Sequence, residues 1–232
     1  MDIVEAIRMR KSIRKYKPDP VPKEILSNIL EIAVRAPSAM NTQPWEFTVI
    51  TGKVLENVKN VNIEKLHSGA PLHLEHPSGG WPFESVYRDR QVELGMQLFE
   101  LMDIPRDDME KRAAWLERGF RYFDAPAAII IMTDRVLTEG GPMFDIGTVA
   151  QNICLVALTY GLGTCIEDQG IMYPDVLREH AGIPESKRIV MSIAIGYPDW
   201  KFPANRLESA RDPIERITTW CGFDPITGPE QL

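Results

Sequence analysis

Two nucleotide-binding signatures and one membrane signature are missing from this sequence. No segment with the pattern of a strand leads into GxGxxG, and no GxxxxGK[ST] pattern occurs. The first absence argues against a Rossmann-type dinucleotide site, and the second argues against a P-loop. No window of eighteen residues is both apolar and uncharged, so we expect no membrane-spanning helix.

The sequence also has few cysteines, and its net charge is negative. The three cysteines, Cys154, Cys165 and Cys221, form no CxxC pair. An odd number without close spacing predicts reduced thiols and a cytoplasmic protein. Residues 1–9 already contain three charged side chains, so we expect no signal peptide. The net charge of −7 argues against a nucleic-acid or anionic-membrane partner.

Hydrophobic periodicity predicts helices interspersed with short strands. The predicted helices cover residues 2–10, 24–36, 85–102, 107–119, 144–160 and 174–180, and the predicted strands cover 46–51, 127–132, 164–166 and 189–195. The continuous apolar run at 127–132 indicates a strand buried on both faces. Residues 65–83 are rich in His, Pro and Gly, which predicts a loop. Residues 197–232 show no clear period, but Trp220 and Phe223 offer apolar anchors.

A cluster of cations follows the first predicted helix, in the order Arg10-Lys11-Ser12-Ile13-Arg14. Arg10 and Arg14 are four residues apart, so they share one face if the helix continues. Two guanidinium groups and the Ser12 hydroxyl suit a phosphate, and each charge-assisted hydrogen bond contributes about 1.5–3 kcal/mol. The alternative is a solvated helix end whose cations complement the helix dipole.

A loop rich in amides follows the second predicted helix and leads into a strand. Its sequence is Pro37-Ser38-Ala39-Met40-Asn41-Thr42-Gln43-Pro44-Trp45. Asn and Gln amides offer both donors and acceptors to the edge of a flat heterocyclic ring. The alternative is a turn whose polar side chains bond to their own backbone.

With these two segments and three later ones, the chain resembles the FMN-dependent nitroreductase family. The later segments are Asp145-Ile146-Gly147 with Gln151-Asn152, Gly161-Leu162-Gly163-Thr164, and Pro203-Ala204-Asn205-Arg206. The resemblance implies an α+β fold with a mixed β-sheet flanked by helices, in an intertwined homodimer. It also implies a single domain over residues 1–232, with a variable lid at about 62–123 and a C-terminal tail at about 197–232 packing on the partner subunit.

The resemblance further implies which residues contact FMN. Arg10, Ser12 and Arg206 correspond to phosphate ligands, and Arg14 corresponds to a cation near the ring. The amide loop corresponds to a segment that reaches the ring from the partner subunit, and the backbone N–H of Glu167 corresponds to a group facing flavin N5. The full set of expected FMN-binding residues is Arg10, Lys11, Ser12, Arg14, Pro37, Ser38, Ala39, Met40, Asn41, Gln43, Cys165, Ile166, Glu167, Asp168 and Arg206.

The activity implied by the resemblance is NAD(P)H-dependent reduction of nitroaromatic compounds, including nitrobenzoate-like ones, in a ping-pong cycle. No side chain is assigned as a catalytic acid, because flavin N5 carries the hydride. The expected contacts to a small aromatic substrate are Tyr87, Arg88, Trp115, Arg118 and Arg121. The alternative for these five residues is packing for the aromatic rings and solvent exposure for the charges.

Three other functions stay open. One is reductive dehalogenation, as in the iodotyrosine deiodinase branch, although Glu84, Tyr87 and Lys111 do not match the spacing of that branch. The others are quinone or enone reduction and a flavin-binding redox sensor without catalysis. His67, His73 and His76 lack a Cys or acidic residue at a fixed offset, so we expect no metal site.

Overall fold

The computed structural model describes residues 1–76 and 80–223. The α-helices within these residues are α1 (Ile3–Met9), α2 (Lys23–Ala33), α3 (Gly52–His67), α4 (Val86–Leu101), α5 (Met109–Phe120), α6 (Met143–Thr159), α7 (Pro174–Ala181) and α8 (Ile214–Ile217). The strands are β1 (Glu46–Thr51), β2 (Ala127–Asp134), β3 (Gly163–Glu167) and β4 (Lys187–Gly196). All four predicted strands are therefore confirmed.

The four strands form one sheet in the order β1-β2-β4-β3, and every neighbouring pair is antiparallel. This sheet with its helices confirms the α+β class. The expected parallel component of the sheet is small in the described residues: it is an isolated bridge between Ser12 and Thr164 at the outer edge of β3. The bridge does not extend into a strand because the chain turns away at Arg14, whose N–H donates to the side chain of Asn205.

Both faces of the sheet are covered by helices, and this places β2 in the core. On one face, Ile129 of β2 and Ile193 of β4 pack with α2 and α6. On the other face, Ile130 and Ala194 pack with α3, α7 and Tyr16. The continuous apolar run of β2 follows from this two-sided burial. The prediction of a strand buried on both faces is therefore confirmed.

Two predictions about helices were wrong. α2 ends at Ala33 rather than residue 36, because its last turn tightens and Ala36 N–H bonds to Ala33 O. The second concerns α3, which occupies residues expected to be loop at 65–67 and residues 52–64 that the periodicity left unassigned. The buried face of α3 includes Lys59 and Asn62, and these two polar residues obscure the apolar repeat.

Lys59 and Asn62 are buried because the backbone opposite provides acceptors. Lys59 Nζ donates to Ala125 O at 2.8 Å, and Asn62 Nδ2 lies 3.2 Å from Phe120 O and 3.3 Å from Gly170 O. Such bonds offset the loss of water around a buried polar group. The first residues of the expected lid at about 62–123 thus belong to the core.

The described part of the C-terminal tail is buried at Ala204 and Asn205 and exposed along most of residues 208–223. It contains a short turn, Pro203–Arg206, and then α8. The expected apolar anchors Trp220 and Phe223 are 65% and 72% exposed, and their rings pack edge to face at 5.5 Å. The remainder of the tail, at 224–232, lies outside the described residues. None of the described helices has the length and apolar character that a bilayer crossing requires.

Candidate active site

The basic segment (residues 10–14) is extended rather than helical. The N–H of Ile13 donates to the Thr164 carbonyl of β3 at 2.9 Å, and the Ile13 side chain is buried. The prediction that Arg10 and Arg14 share a helical face was therefore wrong. Pairing with β3 and burial of Ile13 outweigh the local spacing, which is weak evidence wherever tertiary contacts compete with it.

Asn205 connects the basic segment to the C-terminal tail. Its Oδ1 accepts the N–H of Arg14 at 2.6 Å, and its Nδ2 donates to the carbonyls of Lys15 and Asp199, each at 2.8 Å. Asn205 is fully buried. Arg206, the next residue, is exposed beside this junction. Two segments separated by 191 positions in the chain are thus held together by one amide.

The other two cations of the basic segment have different surroundings. Lys11 Nζ lies 3.6 Å from Glu208 in the tail. Arg10 is half-buried at the end of α1 and lies near Cys154 of α6. Burial raises the pKa of the Cys154 thiol, while the Thr164 hydrogen bond and the Arg10 charge oppose this increase.

A cavity of about 310 Å³ opens where β3 ends. Its volume lies within the range of roughly 300–1,000 Å³ that is usual for ligand sites. Most of its apolar lining comes from α4, α5 and the turn after α5. The lining residues are Ser12, Arg14, Leu98, Trp115, Leu116, Phe123, Cys165, Ile166, Glu167, Asp168 and Gln169. Six of the fifteen expected FMN-binding residues are thus brought to one place.

Glu167 is a buried carboxyl at the edge of this cavity. Ser192 Oγ of β4 lies 2.5 Å from Glu167 Oε1, and the N–H of Gly170 donates to Glu167 Oε2 at 2.8 Å. Burial raises the pKa of Glu167 to about 8, although these two bonds and the Gln169 N–H oppose the increase. No ion pair within 4.0 Å of this carboxyl is found among the residues that the structure describes.

The Cys165 thiol also borders the cavity. Burial raises its pKa to about 12, against the opposing influence of the Arg14 charge. A thiol with so high a pKa is protonated at neutral pH and is a poor nucleophile. The structure therefore gives Cys165 the character of a wall residue.

Asp124 collects three cations beside the cavity. Its Oδ2 lies 2.9 Å from Lys15 Nζ and 3.3 Å from an Arg118 nitrogen, and its Oδ1 accepts from Arg121 Nε at 3.1 Å. Burial acts to raise the pKa of Asp124, but these cations outweigh it and hold the pKa below its usual value. Arg118 also donates to the Arg14 carbonyl at 2.9 Å, so its guanidinium supports the basic segment.

The turn after α5 that contains Asp124 has an unusual backbone. Tyr122, Phe123 and Asp124 have φ values of 54°, 52° and 61°. The left-handed region costs about 1–2 kcal/mol for a residue with a Cβ atom. The turn persists because Tyr122 is fully buried and donates to Gly170 O at 2.6 Å. Its result is that Phe123 reaches the cavity wall while Asp124 reaches the three cations.

The amide loop (residues 37–45) is fixed at its base and open to solvent at its tip. Asp145 of α6 accepts the N–H of Ala39 at 3.1 Å, and Ser38 Oγ accepts the N–H of Gln43 at 2.9 Å. Asn41 and Gln43 are exposed, and Met40 is 96% exposed. In the described chain, no residue of this loop lines the cavity at the end of β3.

The same loop has left-handed backbone at three residues other than glycine. Met40, Asn41 and Gln43 have φ values of 51°, 58° and 49°. Strain of this kind costs about 1–3 kcal/mol at each position. The strained residues at the tip of the loop are exposed, so packing within the chain does not offset their strain, which points to a role in contact with another molecule.

The five expected substrate contacts separate into two groups. Trp115 lines the cavity, and Arg118 and Arg121 stand behind it in the Asp124 cluster. Tyr87 and Arg88 lie near the start of α4, where Tyr87 is 56% exposed and Arg88 bonds to Gln91 at 2.7 Å. Neither Tyr87 nor Arg88 is part of the cavity lining in the described residues.

The histidines do not converge. His67 Nε2 lies 2.9 Å from Glu117, and His76 Nε2 lies 3.9 Å from Asp168 at the cavity edge. Among residues 1–76 and 80–223, no cluster of three or more His, Cys, Asp or Glu side chains is positioned to hold a metal ion.

Sequence reasoning did not assign several residues to the site. Leu98, Leu116, Phe123 and Gln169 line the cavity, and Ser192 bonds to Glu167 from the neighbouring strand. Each comes from an element whose own sequence carries no chemical signal. A prediction of strand pairing between β3 and β4 would have placed Ser192 opposite Glu167.

Comparisons with known proteins agree with this geometry. The nitroreductase family model matches residues 7–197. The chain is 34% identical to a nitrobenzene nitroreductase of Ectopseudomonas oleovorans, over 94% of this chain and 96% of that protein. It is 28% identical to a 4-nitrobenzoate reductase of Nocardioides sp. (strain LMS-CY), over 94% and 89%.

A solved structure is similar over the whole fold. The FMN and NADPH-dependent nitroreductase NfnB from Sphigopyxis sp. strain HMH superposes with a TM-score of 0.90 at 28% identity, over 96% of this chain and 100% of that chain. The family match over most of the sequence and this structural similarity agree on the family of the chain. The chain belongs to the nitroreductase family.

Proposed function

We propose that this protein binds FMN, takes hydride from NADH or NADPH, and reduces nitroaromatic compounds in a ping-pong cycle. The observation that carries the proposal is the cavity at the end of β3, which combines Ser12 and Arg14 with Cys165, Glu167 and Asp168. The relatives that are named as nitroreductases support this chemistry over dehalogenation, over quinone reduction and over a sensor without catalysis. The three cysteines are free, and we place the protein in the cytoplasm.

The residues present fit FMN in charge and in hydrogen bonding. Arg10, Ser12 and Arg206 would bind the phosphate, with the Lys11 backbone beside them, because hydroxyl and guanidinium groups are strong donors to anions. Arg14 would stand near the ring, where positive charge favours electron uptake. The flavin supplies the hydride chemistry when it is bound, at its N5 atom.

The described side chains around the cavity would position the ring and exclude water. Leu98, Trp115, Leu116 and Phe123 form an apolar wall, and a site that excludes water strengthens the electrostatic influence of Arg14. Cys165, Ile166, Glu167 and Asp168 would support the ring from β3, with the Glu167 backbone N–H directed at it. We assign no catalytic acid among these residues.

The active protein would be a homodimer in which the amide loop of one subunit covers the flavin of the other. Two observations support this arrangement: the strain at Met40, Asn41 and Gln43, and the 96% exposure of Met40. In the same arrangement the lid at about 62–123 would shape the substrate site. The tail at about 197–232 would pack on the partner, where Trp220 and Phe223 lose their exposure.

The substrates would be neutral nitroarenes in preference to nitrobenzoates. A nitrobenzoate brings a carboxylate that needs a cation, but Arg118 and Arg121 are already paired with Asp124 and Arg14 would be taken up by the flavin ring. Asp168 at the cavity edge adds repulsion. An unpaired charge in a partly buried site loses hydration without compensation. We expect kcat/KM to be at least about tenfold higher for nitrobenzene than for 4-nitrobenzoate, a difference of about 1.4 kcal/mol.

Absorbance and kinetics test the proposal. The purified protein should be yellow, should release FMN on denaturation, and should give parallel reciprocal plots with NADH or NADPH and nitrobenzene. A colourless protein that gains no flavin absorbance with added FMN contradicts the cofactor assignment. Intersecting plots contradict the ping-pong cycle.

A substitution in the cavity wall tests the substrate preference. Leu116→Arg would place a new cation at the lining of the cavity and should raise kcat/KM for 4-nitrobenzoate relative to nitrobenzene. Leu116→Gln is the matched control, since it adds a polar side chain without charge. If both variants change the ratio equally, the preference does not arise from charge.

A further inference from the structure

The Ser192 hydroxyl lies within hydrogen-bonding distance of two Glu167 oxygens, the backbone carbonyl and one carboxyl oxygen. The hydroxyl has a single hydrogen to share between them. Ser192 Oγ lies 2.8 Å from the Glu167 carbonyl oxygen and 2.5 Å from Glu167 Oε1. If the carboxyl is ionised, both oxygens are acceptors, and the hydroxyl can satisfy only one of them. If the carboxyl is protonated, Oε1–H donates to Ser192 Oγ and the hydroxyl donates to the carbonyl. The neutral acid therefore satisfies both contacts of the Ser192 hydroxyl, whereas the ionised acid satisfies one of them.

The second oxygen of the carboxyl gives the same result. Glu167 Oε2 accepts the N–H of Gly170 at 2.8 Å, and the Gln169 N–H also bonds to the carboxyl, so the other donors are backbone groups without a positive charge. A buried carboxylate needs more, because unpaired buried charge is costly. The burial that raises the pKa of Glu167 to about 8 supports this reading of the bond pattern.

The groups around Glu167 do not supply a counter-charge. Tyr122 donates its hydroxyl to Gly170 O, and Tyr16 donates its hydroxyl to Ala194 O. The nearby groups on the same segment are the Cys165 thiol of β3 and the carboxyl of Asp168, the residue after β3, and Asp168 adds negative charge. His76 faces Asp168 at 3.9 Å.

Arg14 is the cation that lines the same cavity, and its guanidinium makes no ion pair within 4.0 Å among the described residues. The guanidinium lies 3.4 Å from the Ser12 carbonyl. It therefore stands available to a group inside the cavity rather than to Glu167. One wall of the cavity thus offers a positive charge, and another offers a carboxyl whose contacts favour the neutral form.

We propose that the Glu167 carboxyl offsets the negative charge that this cavity gains on flavin reduction. Its side chain is neutral when the bound flavin is reduced. If it is ionised while the flavin is oxidised, it takes up one proton as the flavin gains electrons. The proposal rests on the proposed function. A bound flavin would supply the redox chemistry: hydride from NAD(P)H would bring two electrons and one proton, would leave NAD(P)⁺, and would add one negative charge to the cavity. A Glu167 that was ionised beforehand would gain its proton from water at that point and would return it to water when a nitro compound removes the hydride.

The side chain acts through charge and not through a covalent step, so its influence depends on pH. At low pH Glu167 is neutral before and after reduction, and no extra proton is bound. As the pH rises above the Glu167 pKa of the oxidised protein, reduction requires one additional proton. The equilibrium constant for reduction then falls by an additional factor of ten for each pH unit, compared with its pH dependence below the Glu167 pKa. For a two-electron couple this corresponds to an additional decrease of about 30 mV per pH unit in the midpoint potential.

The first experiment observes the carboxyl directly in the FMN-loaded protein. Glutamate labelled with ¹³C at the carboxyl carbon is titrated by NMR from pH 5 to pH 10. We expect one signal with a midpoint near 8, present in the wild type and in Glu139→Gln, and missing in Glu167→Gln. Glu139 is an exposed glutamate and serves as the matched control. Absence of any such signal overturns the proposal.

The second experiment measures the midpoint potential of the bound flavin against pH. The wild type and Glu139→Gln should show the additional tenfold change per pH unit above the midpoint, and Glu167→Gln should lack it. If Glu167→Gln retains that change, another group takes up the proton and the proposal is wrong. Because neither measurement uses a nitro compound, a protein that titrates as expected but reduces no nitroarene contradicts only the proposed function.

Ser192→Ala keeps the test decisive if Glu167→Gln does not fold. The serine hydroxyl stabilises the ionised carboxyl more strongly than the neutral one, because hydrogen bonds to charged groups are stronger. Its removal should move the high midpoint upward and thereby assign that signal to Glu167. A high midpoint that does not move in Ser192→Ala belongs to another carboxyl and overturns the proposal.

Discussion

Asn205→Ala tests whether one buried amide holds the basic segment in place. The substitution removes an acceptor from the Arg14 N–H and two donors from the carbonyls of Lys15 and Asp199. It leaves the backbone of all three residues otherwise unchanged. Because Asn205 is fully buried, water cannot enter to replace the lost bonds without local rearrangement.

The expected loss of stability follows from the number of bonds. A net contribution of about 0.5–1.5 kcal/mol for each hydrogen bond gives about 1.5–4.5 kcal/mol for the three bonds of Asn205. Loosening of Arg14 and Lys15 should also weaken FMN binding, since these residues lie between the cavity and the Asp124 cluster. We therefore expect lower stability together with lower FMN affinity.

Urea unfolding and fluorescence titration with FMN measure the two effects. Asn152→Ala is the matched control, because Asn152 makes one side-chain bond, from Nδ2 to Ala33 O at 3.1 Å, away from the cavity. It should lower the free energy of unfolding by about one third as much and leave FMN affinity nearly unchanged. If Asn205→Ala destabilises no more than Asn152→Ala, the three bonds do not act together and the reasoning is refuted.

Three other perturbations have defined outcomes. Gly170→Ala should lower stability by about 1–3 kcal/mol by calorimetry, because a Cβ atom would lie 2.5 Å from the Tyr122 ring and 2.7 Å from Glu167 Oε1; a Tm equal to wild type contradicts this. Burial would raise the pKa of Glu75, but the Ile189 N–H and Arg178 outweigh it and hold the pKa below 4.5. The stabilisation by Glu75 should therefore be present above pH 4.5 and disappear as the pH falls through the lowered pKa. In urea unfolding at pH 7, Glu75→Gln should lower the free energy of unfolding by about 3 kcal/mol. In acid, the difference between Glu75→Gln and the wild type should vanish. Cys154 and Cys165 are buried with raised pKa values and should react with iodoacetamide only after unfolding, as mass spectrometry will show; alkylation of either thiol in the native protein contradicts this.

The strands were predictable because their cause is local. Residues 127–132 of β2 are apolar without interruption, and a strand that is covered on both faces requires such a run. α6 was predictable for a similar reason, since its apolar residues surround the helix axis. In both elements most apolar side chains are buried or half-buried, and the apolar residues in the sequence predict such burial directly.

The misses have causes that lie far away in the chain. α3 buries Lys59 and Asn62 against carbonyls from Ala125, Phe120 and Gly170, so its buried face does not appear apolar. The basic segment is extended because β3, about 150 positions later, offers the Thr164 carbonyl. No local pattern contains either fact.

The candidate site was predictable in its chemistry but not in its charge balance. The cations of the basic segment and the polar residues at the end of β3 are visible in the sequence. That Arg118 and Arg121 are paired with Asp124 is not visible, because the pairing depends on the left-handed turn at residues 122–124. The same turn decides which cations remain available to a ligand.

The charge balance also connects the two proposals. Among the residues that the structure describes, Arg14 is the cation in the cavity lining, and Asp168 is a lining carboxyl of opposite sign. If Glu167 were also ionised, the lining would be net negative and would oppose the charge that a bound flavin gains on reduction. With Glu167 neutral, Arg14 can favour that charge, while the lining offers no additional cation to a benzoate. Protonation of one buried carboxyl would therefore favour electron uptake, whereas the preference for uncharged nitroarenes would follow from the lack of an additional cation in the described lining. Raising the pH should weaken electron uptake without creating affinity for anionic substrates.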